Sequence, residues 1–225
     1  MHSGLSQSDS IYNRKYLVVG ACSTFDLYSN HDTSPYSYQS NHYDKSVPKV
    51  FYGPNLSFAY FLKSKKPYRF QTGIEYTFAQ YYIAQTASPD KYNIGTFSNL
   101  KLKLHIISIP FYGNVALLKN RLLVGLGISA DAIPYSTISG NKDLYYTTAT
   151  SSTYTPEKIT NKRGYISPFD ISTALKFSYL QKVKKTWVII EAKYKHGLLN
   201  ITPSRYLSGA YLHNDIMTLS GGICF

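Results

Sequence analysis

Residues 216–225 read IMTLSGGICF. Taken alternately, Met217, Leu219, Gly221, Ile223 and Phe225 fall on one side, and Ile216, Thr218, Ser220, Gly222 and Cys224 on the other. One side is mainly apolar and the other small or polar, as in a strand lying between two different solvents. Those solvents are either a core and water, or lipid and a wet interior. An aromatic Phe225 on the apolar side is expected to anchor such a strand at a membrane rim.

The same alternation recurs along the chain. Phe169, Ile171, Thr173, Leu175, Phe177 and Tyr179 oppose Asp170, Ser172, Ala174, Lys176 and Ser178. Val188, Ile190, Ala192 and Tyr194 oppose Ile189, Glu191, Lys193 and Lys195. Phe70, Ile74, Tyr76 and Phe78 oppose Arg69, Gln71, Glu75 and Thr77, while Leu122, Val124, Leu126 and Ile128 oppose Leu123, Gly125, Gly127, Ser129 and Asp131. Eight strands are expected in all, over residues 15–28, 50–62, 68–82, 100–117, 121–133, 165–180, 186–199 and 213–225. Most exceed the ~9–11 residues that a tilted strand needs to cross a bilayer. Strands of soluble sheets are shorter, about 5–6 residues.

The connections obey a rule. KSKKP, KN and KVKK are tight and basic; the other four are long and rich in Ser, Thr, Asn and Tyr, the longest being residues 134–164. Alternating long and short connections mark an up-and-down barrel whose two rims face different compartments. The expected fold is therefore all-β, an eight-stranded antiparallel transmembrane barrel, with residues 1–14 as an N-terminal periplasmic segment and 15–225 as one barrel domain. Pattern alone also admits the inverse, a soluble lipocalin-like barrel with its apolar stripe inward around an apolar ligand. The polar face mixes Gly and Ser with charges of both signs, as a narrow lumen requires. Tyr16, Tyr28, Tyr60, Tyr82, Tyr179 and Tyr194 fall at strand ends, where interfacial girdles lie. Both features favour the apolar face outward.

Composition agrees. Apolar residues make up 44% of the 225, and 23 are tyrosines, a residue suited to strands and to membrane interfaces. Mean hydropathy is -0.22 and no run of eighteen apolar residues occurs, so a helical membrane protein is excluded. The start shows no charged n-region followed by an apolar h-region; an exported chain of this kind is expected to have had its signal removed. The net charge of +12 suits nucleic acid, anionic lipid or an acidic partner. No zinc-finger spacing, RNP-type motif or long basic helix points to nucleic acid.

The stretch LHIISIPFYGNVALLKNRLLVGLGISADAI, residues 104–133, sets an Ile-Pro-Phe strand, a tight basic turn and a Gly-rich next strand in a row. It resembles the PorT-like outer-membrane barrels of the Bacteroidota, and the closing LSGGICF resembles the Gly-containing last strand of that family. Some members take part in secretion and gliding assemblies. The expected barrel is a non-enzymatic structural or interaction subunit of the bacterial outer membrane, with both termini periplasmic. Its implied partners are outer-membrane lipid and lipopolysaccharide, and other outer-membrane or periplasmic proteins.

The polar faces nominate a lumen set: Asp26, Arg69, Glu75, Lys101, Lys103, His105, Asp131, Asp170, Lys176, Glu191, Lys193 and Lys195. Such groups form either a space-filling ion-pair network, or a polar pore or small anion site. Eight strands favour the network, because they leave room for little beyond side chains. His105, Ser108 and Asp131 are the one set that suggests an outer-membrane lipid-modifying enzyme, without a specific spacing. His31, His42 and His213 lack paired ligand spacing, so no metal and no cofactor is expected, and no GxSxG, HExxH, P-loop or Rossmann motif is present. Pro110 is expected to bulge its strand. Cys22 and Cys224 lie on the two strands that must close the barrel, one mid-strand and one terminal, which disfavours a disulfide. A basic periplasmic rim is expected from Lys63, Lys65, Lys66, Lys119, Arg121, Lys182, Lys184 and Lys185, contacting lipid phosphate or an acidic partner.

Overall fold

The computed structural model describes residues 15–24, 51–62, 68–89, 93–118, 121–147, 152–163, 166–199, 201 and 213–224. They form nine strands: β1 (Lys15–Thr24), β2 (Phe51–Leu62), β3 (Tyr68–Pro89), β4 (Asn93–Leu117), β5 (Leu122–Thr147), β6 (Ser152–Lys162), β7 (Phe169–Val183), β8 (Thr186–Gly197) and β9 (Asp215–Cys224). Eight of them close a ring in which every neighbour is antiparallel: β1 pairs β2 and β9, β4 pairs β5, and β5 pairs β7. The ninth, β6, pairs only with the far half of β5 and stands outside the ring.

The faces of the ring settle the choice of solvents. Outward stand Leu17, Leu56, Phe58, Phe70, Ile74, Ile107, Ile109, Phe111, Leu126, Ile128, Ile171, Leu175, Phe177, Ile190, Met217, Leu219 and Ile223, all exposed. Inward are Arg69, Gln71, Glu75, Asp131, Asp170, Lys176, Glu191, Lys193 and Lys195, all buried. Greasy outside and charged inside is the polarity of a barrel solvated by lipid. The soluble lipocalin-like reading is overturned, since that barrel needs the opposite arrangement.

The interior is layered. At the short-turn end Tyr16, Val18, Ala59, Phe61, Leu123, Leu180, Ile189 and Cys224 pack together. At the other end Ala79, Tyr81, Leu102, Leu104, Ile106, Ile133, Ile166, Ile201 and Ile216 form a second apolar cluster. The charged side chains occupy the space between. Inward Gly125 and Gly127 leave room there: a Cβ on Gly127 would strike the ring of Tyr112, and one on Gly125 the amide of Asn114.

Three expectations change. Residues 134–164, read as a loop, instead continue β5 to Thr147 and return as β6. The strand expected over 165–180 starts at Phe169 and runs to Val183, and β3 and β4 reach 22 and 25 residues. Pro110 interrupts the β3–β4 ladder between Thr72–Phe111 and Glu75–Ser108 without changing the register. The register shifts of β4 against β5 fall elsewhere, between Ser98 and Lys101 and between His105 and Ile107. Cys224 pairs in register with Tyr16, and Cys22 with Thr218, so the two cysteines lie six positions apart along the ladder and are not linked. Phe225, Tyr28 and Asp26 lie outside the described residues.

Candidate functional site

The period of two aims alternate side chains of β3, β5, β7 and β8 at one another across the lumen. β3 and β8 stand four places apart in the ring of eight, on opposite walls. Lys193 of β8 crosses the interior to form an ion pair with Glu75 of β3. Asn55 donates to Glu75 Oε1 at 3.1 Å and to Thr77 Oγ1 at 2.9 Å, holding the carboxylate from its own side.

Lys195, two residues further along β8, reaches Asp131 of β5 at 2.7 Å and donates to Ser108 Oγ at 2.7 Å. Asp131 also accepts from Ser129 at 3.0 Å and from Ser172. Lys176 of β7 lies 3.3 Å from Glu191, donates to Gln71 on β3, and sits 4.5 Å above the ring of Tyr112. Glu191 accepts from Ser178 at 2.8 Å and from Tyr16 at 3.4 Å. Asp170 is held by the amides of Ile171 and Leu199 and by Asn214 Nδ2. Burying charges in this space is costly unless each finds a partner, and these carboxylates and lysines do.

Of the expected lumen residues, Arg69, Glu75, Asp131, Asp170, Lys176, Glu191, Lys193 and Lys195 lie inside. Lys101, Lys103 and His105 do not; this is a correction. Leu102, Leu104 and Ile106 take the inward positions there, and the odd-numbered residues face out. Lower on β4 the outward positions are Ile107, Ile109 and Phe111, which meet lipid; higher, the same face has left the hydrocarbon and carries His105, Lys103 and Lys101. The His105–Ser108–Asp131 set is thereby split. His105 packs outside against Phe78 and Tyr135 and bonds Tyr76 Oη at 2.8 Å, while Ser108 and Asp131 share Lys195 inside.

Of the expected basic rim, Arg121, Lys182, Lys184 and Lys185 are exposed at the short-turn end. Lys63, Lys65, Lys66 and Lys119 lie outside the described residues, as do His31 and His42. Sequence reading put Gln71 and Ser172 on the polar face without a partner and missed Asn55 and Asn214, because a neutral polar residue becomes part of a network only when the ring sets its partner.

Ring closure and inverted polarity define the class of this protein: an up-and-down transmembrane β-barrel of eight strands. By sequence the chain matches no family model and no curated protein. Among solved structures it is similar to Ail, the attachment invasion locus protein of Yersinia pestis, with 9% identity, a TM-score of 0.40, and 95% of this chain and 99% of that one covered. It is also similar to Neisserial surface protein A, with 11% identity, a TM-score of 0.35 and 96% of each chain covered. Likeness at this level carries no role across; the fold stands on the chain's own register and faces.

Proposed function

We propose that this chain is a non-enzymatic integral barrel of the bacterial outer membrane that serves as a structural or interaction subunit, with termini and short turns in the periplasm. The observation that carries the reading is the cross-lumen charge network closed between two apolar layers. Paired side chains reaching from wall to wall suit a brace better than a passage or a reaction chamber. The Ile-Pro-Phe and Gly-rich strands support placing it with PorT-like barrels, and with them in a larger membrane assembly.

What is left for function is the outside. β3, β4 and β5, at 22, 25 and 26 residues, are about twice the length needed to span or more, so with β6 they carry a sheet beyond the bilayer. Just above the apolar band stand Tyr76, Phe78, His105 and Tyr135, with Arg163 4.6 Å over the Tyr135 ring and Lys103 and Lys101 higher on β4. Aromatics below cations suit lipopolysaccharide, whose sugars and phosphates sit at this depth.

Two measurements test this. In planar bilayers the purified barrel is expected to give no stable single-channel steps. Cross-linking in native membranes, followed by mass spectrometry, is expected to return a reproducible set of membrane or periplasmic proteins. Large steady conductance, or acyl-ester hydrolysis by the pure barrel, would overturn the reading.

A further inference from the structure

At one level of the barrel three polar residues interrupt the apolar outer face: Thr173 of β7, His196 of β8 and Asp215 of β9, neighbours in register. The row beneath them is Leu175, Tyr194 and Met217. A carboxylate on this face needs partners. Asp215, 2% exposed, accepts the Tyr194 hydroxyl at 2.7 Å and lies 2.8 Å from Nδ1 of His196. A carboxylate only accepts, so His196 carries its proton on Nδ1.

His213, which leads into β9, makes the matching arrangement with a different acceptor. Its Nδ1 lies 3.0 Å from the Gly197 carbonyl, which also only accepts. Each ring, when neutral, is therefore held in the tautomer that leaves a lone pair on Nε2. Among the described residues neither Nε2 has a hydrogen-bond partner. The rings face one another with centres 5.6 Å apart and planes 28° apart. Nitrogen ligands at about 2.0–2.1 Å on a tetrahedral ion hold two imidazole centres about 5 Å apart, a separation close to that of these two rings. A carboxylate behind one ring and a carbonyl behind the other are the acceptors that orient metal-binding histidines.

We propose that His196 and His213 form a binding site for a divalent transition ion of the zinc, nickel and copper group, which imidazole nitrogen favours over magnesium or calcium. Among the described residues no group of three or more metal-ligating side chains occurs, so the ion keeps positions open to water. The His196 side chain is 42% exposed, which gives an ion access from outside. The site sits where the β8–β9 connection leaves and rejoins the barrel, so an ion there clips the two ends of that connection together.

The test titrates the detergent-solubilised full chain, without a histidine tag, with zinc chloride by calorimetry. One zinc per barrel is expected, and magnesium should give no binding heat. His196→Gln and His213→Gln should each weaken zinc binding by about tenfold or more, and Asp215→Asn by about tenfold through loss of ring orientation. Heat-modifiable gel mobility checks that each variant remains folded. On the unmutated barrel, zinc should slow proteolysis within residues 198–212, a readout that needs no variant. Unchanged zinc affinity in both histidine variants, or no binding at millimolar zinc, would show that the two rings only brace the strand ends.

Discussion

A residue in this barrel is governed by which side of the wall it occupies. Leu175 and Ile190 are 38% and 52% exposed on the outside, and their solvent is hydrocarbon. Leu175→Arg or Ile190→Arg should each cost ~2–4 kcal/mol, read from urea unfolding in liposomes. A cost near zero would place these residues in water. Inside, the rule is partnership. Glu75→Gln removes the anion that faces Lys193 across the lumen and leaves a buried ammonium without its ion-pair partner. The expected loss is about 3–5 kcal/mol by the same assay. The double variant Glu75→Gln/Lys193→Met should regain most of it, because the cost lies in the stranded charge and not in the missing contact. If single and double variants lose equally, the pair itself supplies the stability.

At the scale of the strand, legibility depended on solvent contrast. The faces of β7 and β9 read correctly because each runs between lipid and a polar lumen, so Phe177 against Lys176 and Leu219 against Ser220 alternate cleanly. The far half of β5 and all of β6 escaped notice because they stand beyond the bilayer. There the sequence LYYT, residues 144–147, keeps strand-forming residues without the alternation that lipid imposes. Lys101, Lys103 and His105 misled for the same reason: polar means inward only within the hydrocarbon. Partners across the lumen, such as Lys193 with Glu75, were out of reach because their meeting depends on how the ring closes. An element that pairs only with β5 should be dispensable for closure. Replacing residues 143–156 by Asn-Gly joins Lys142 to Glu157, which already pair, through a two-residue turn. The shortened chain should refold with unchanged heat-modifiable mobility and an unfolding midpoint close to that of the full chain. Failure to fold would make the β5–β6 extension part of the barrel's own stability.

For the molecule as a whole, charge is sorted by compartment. Among the described residues the interior buries four cations, Arg69, Lys176, Lys193 and Lys195, and four carboxylates, Glu75, Asp131, Asp170 and Glu191, so its formal charge cancels. The chain's +12 is carried elsewhere, in part at the exposed short-turn rim by Arg121, Lys182, Lys184 and Lys185. Lys184 holds φ at 53°, a left-handed conformation in which glycine would be unstrained. The turn thus keeps a cation at a local conformational cost. Lysines beside an anionic leaflet contribute about 1 kcal/mol each, so a role in seating the barrel against lipid phosphate predicts a lipid-dependent defect. Reversing Lys182, Lys184 and Lys185 to Glu should lower refolding yield in anionic vesicles and leave it unchanged in zwitterionic ones. Lys184→Gly separates the two effects: it should raise stability in zwitterionic vesicles by relieving the backbone, while still weakening the anionic preference. If the triple reversal refolds equally in both lipids and instead loses proteins that co-purify with the native barrel, the rim is a docking surface for an acidic periplasmic partner.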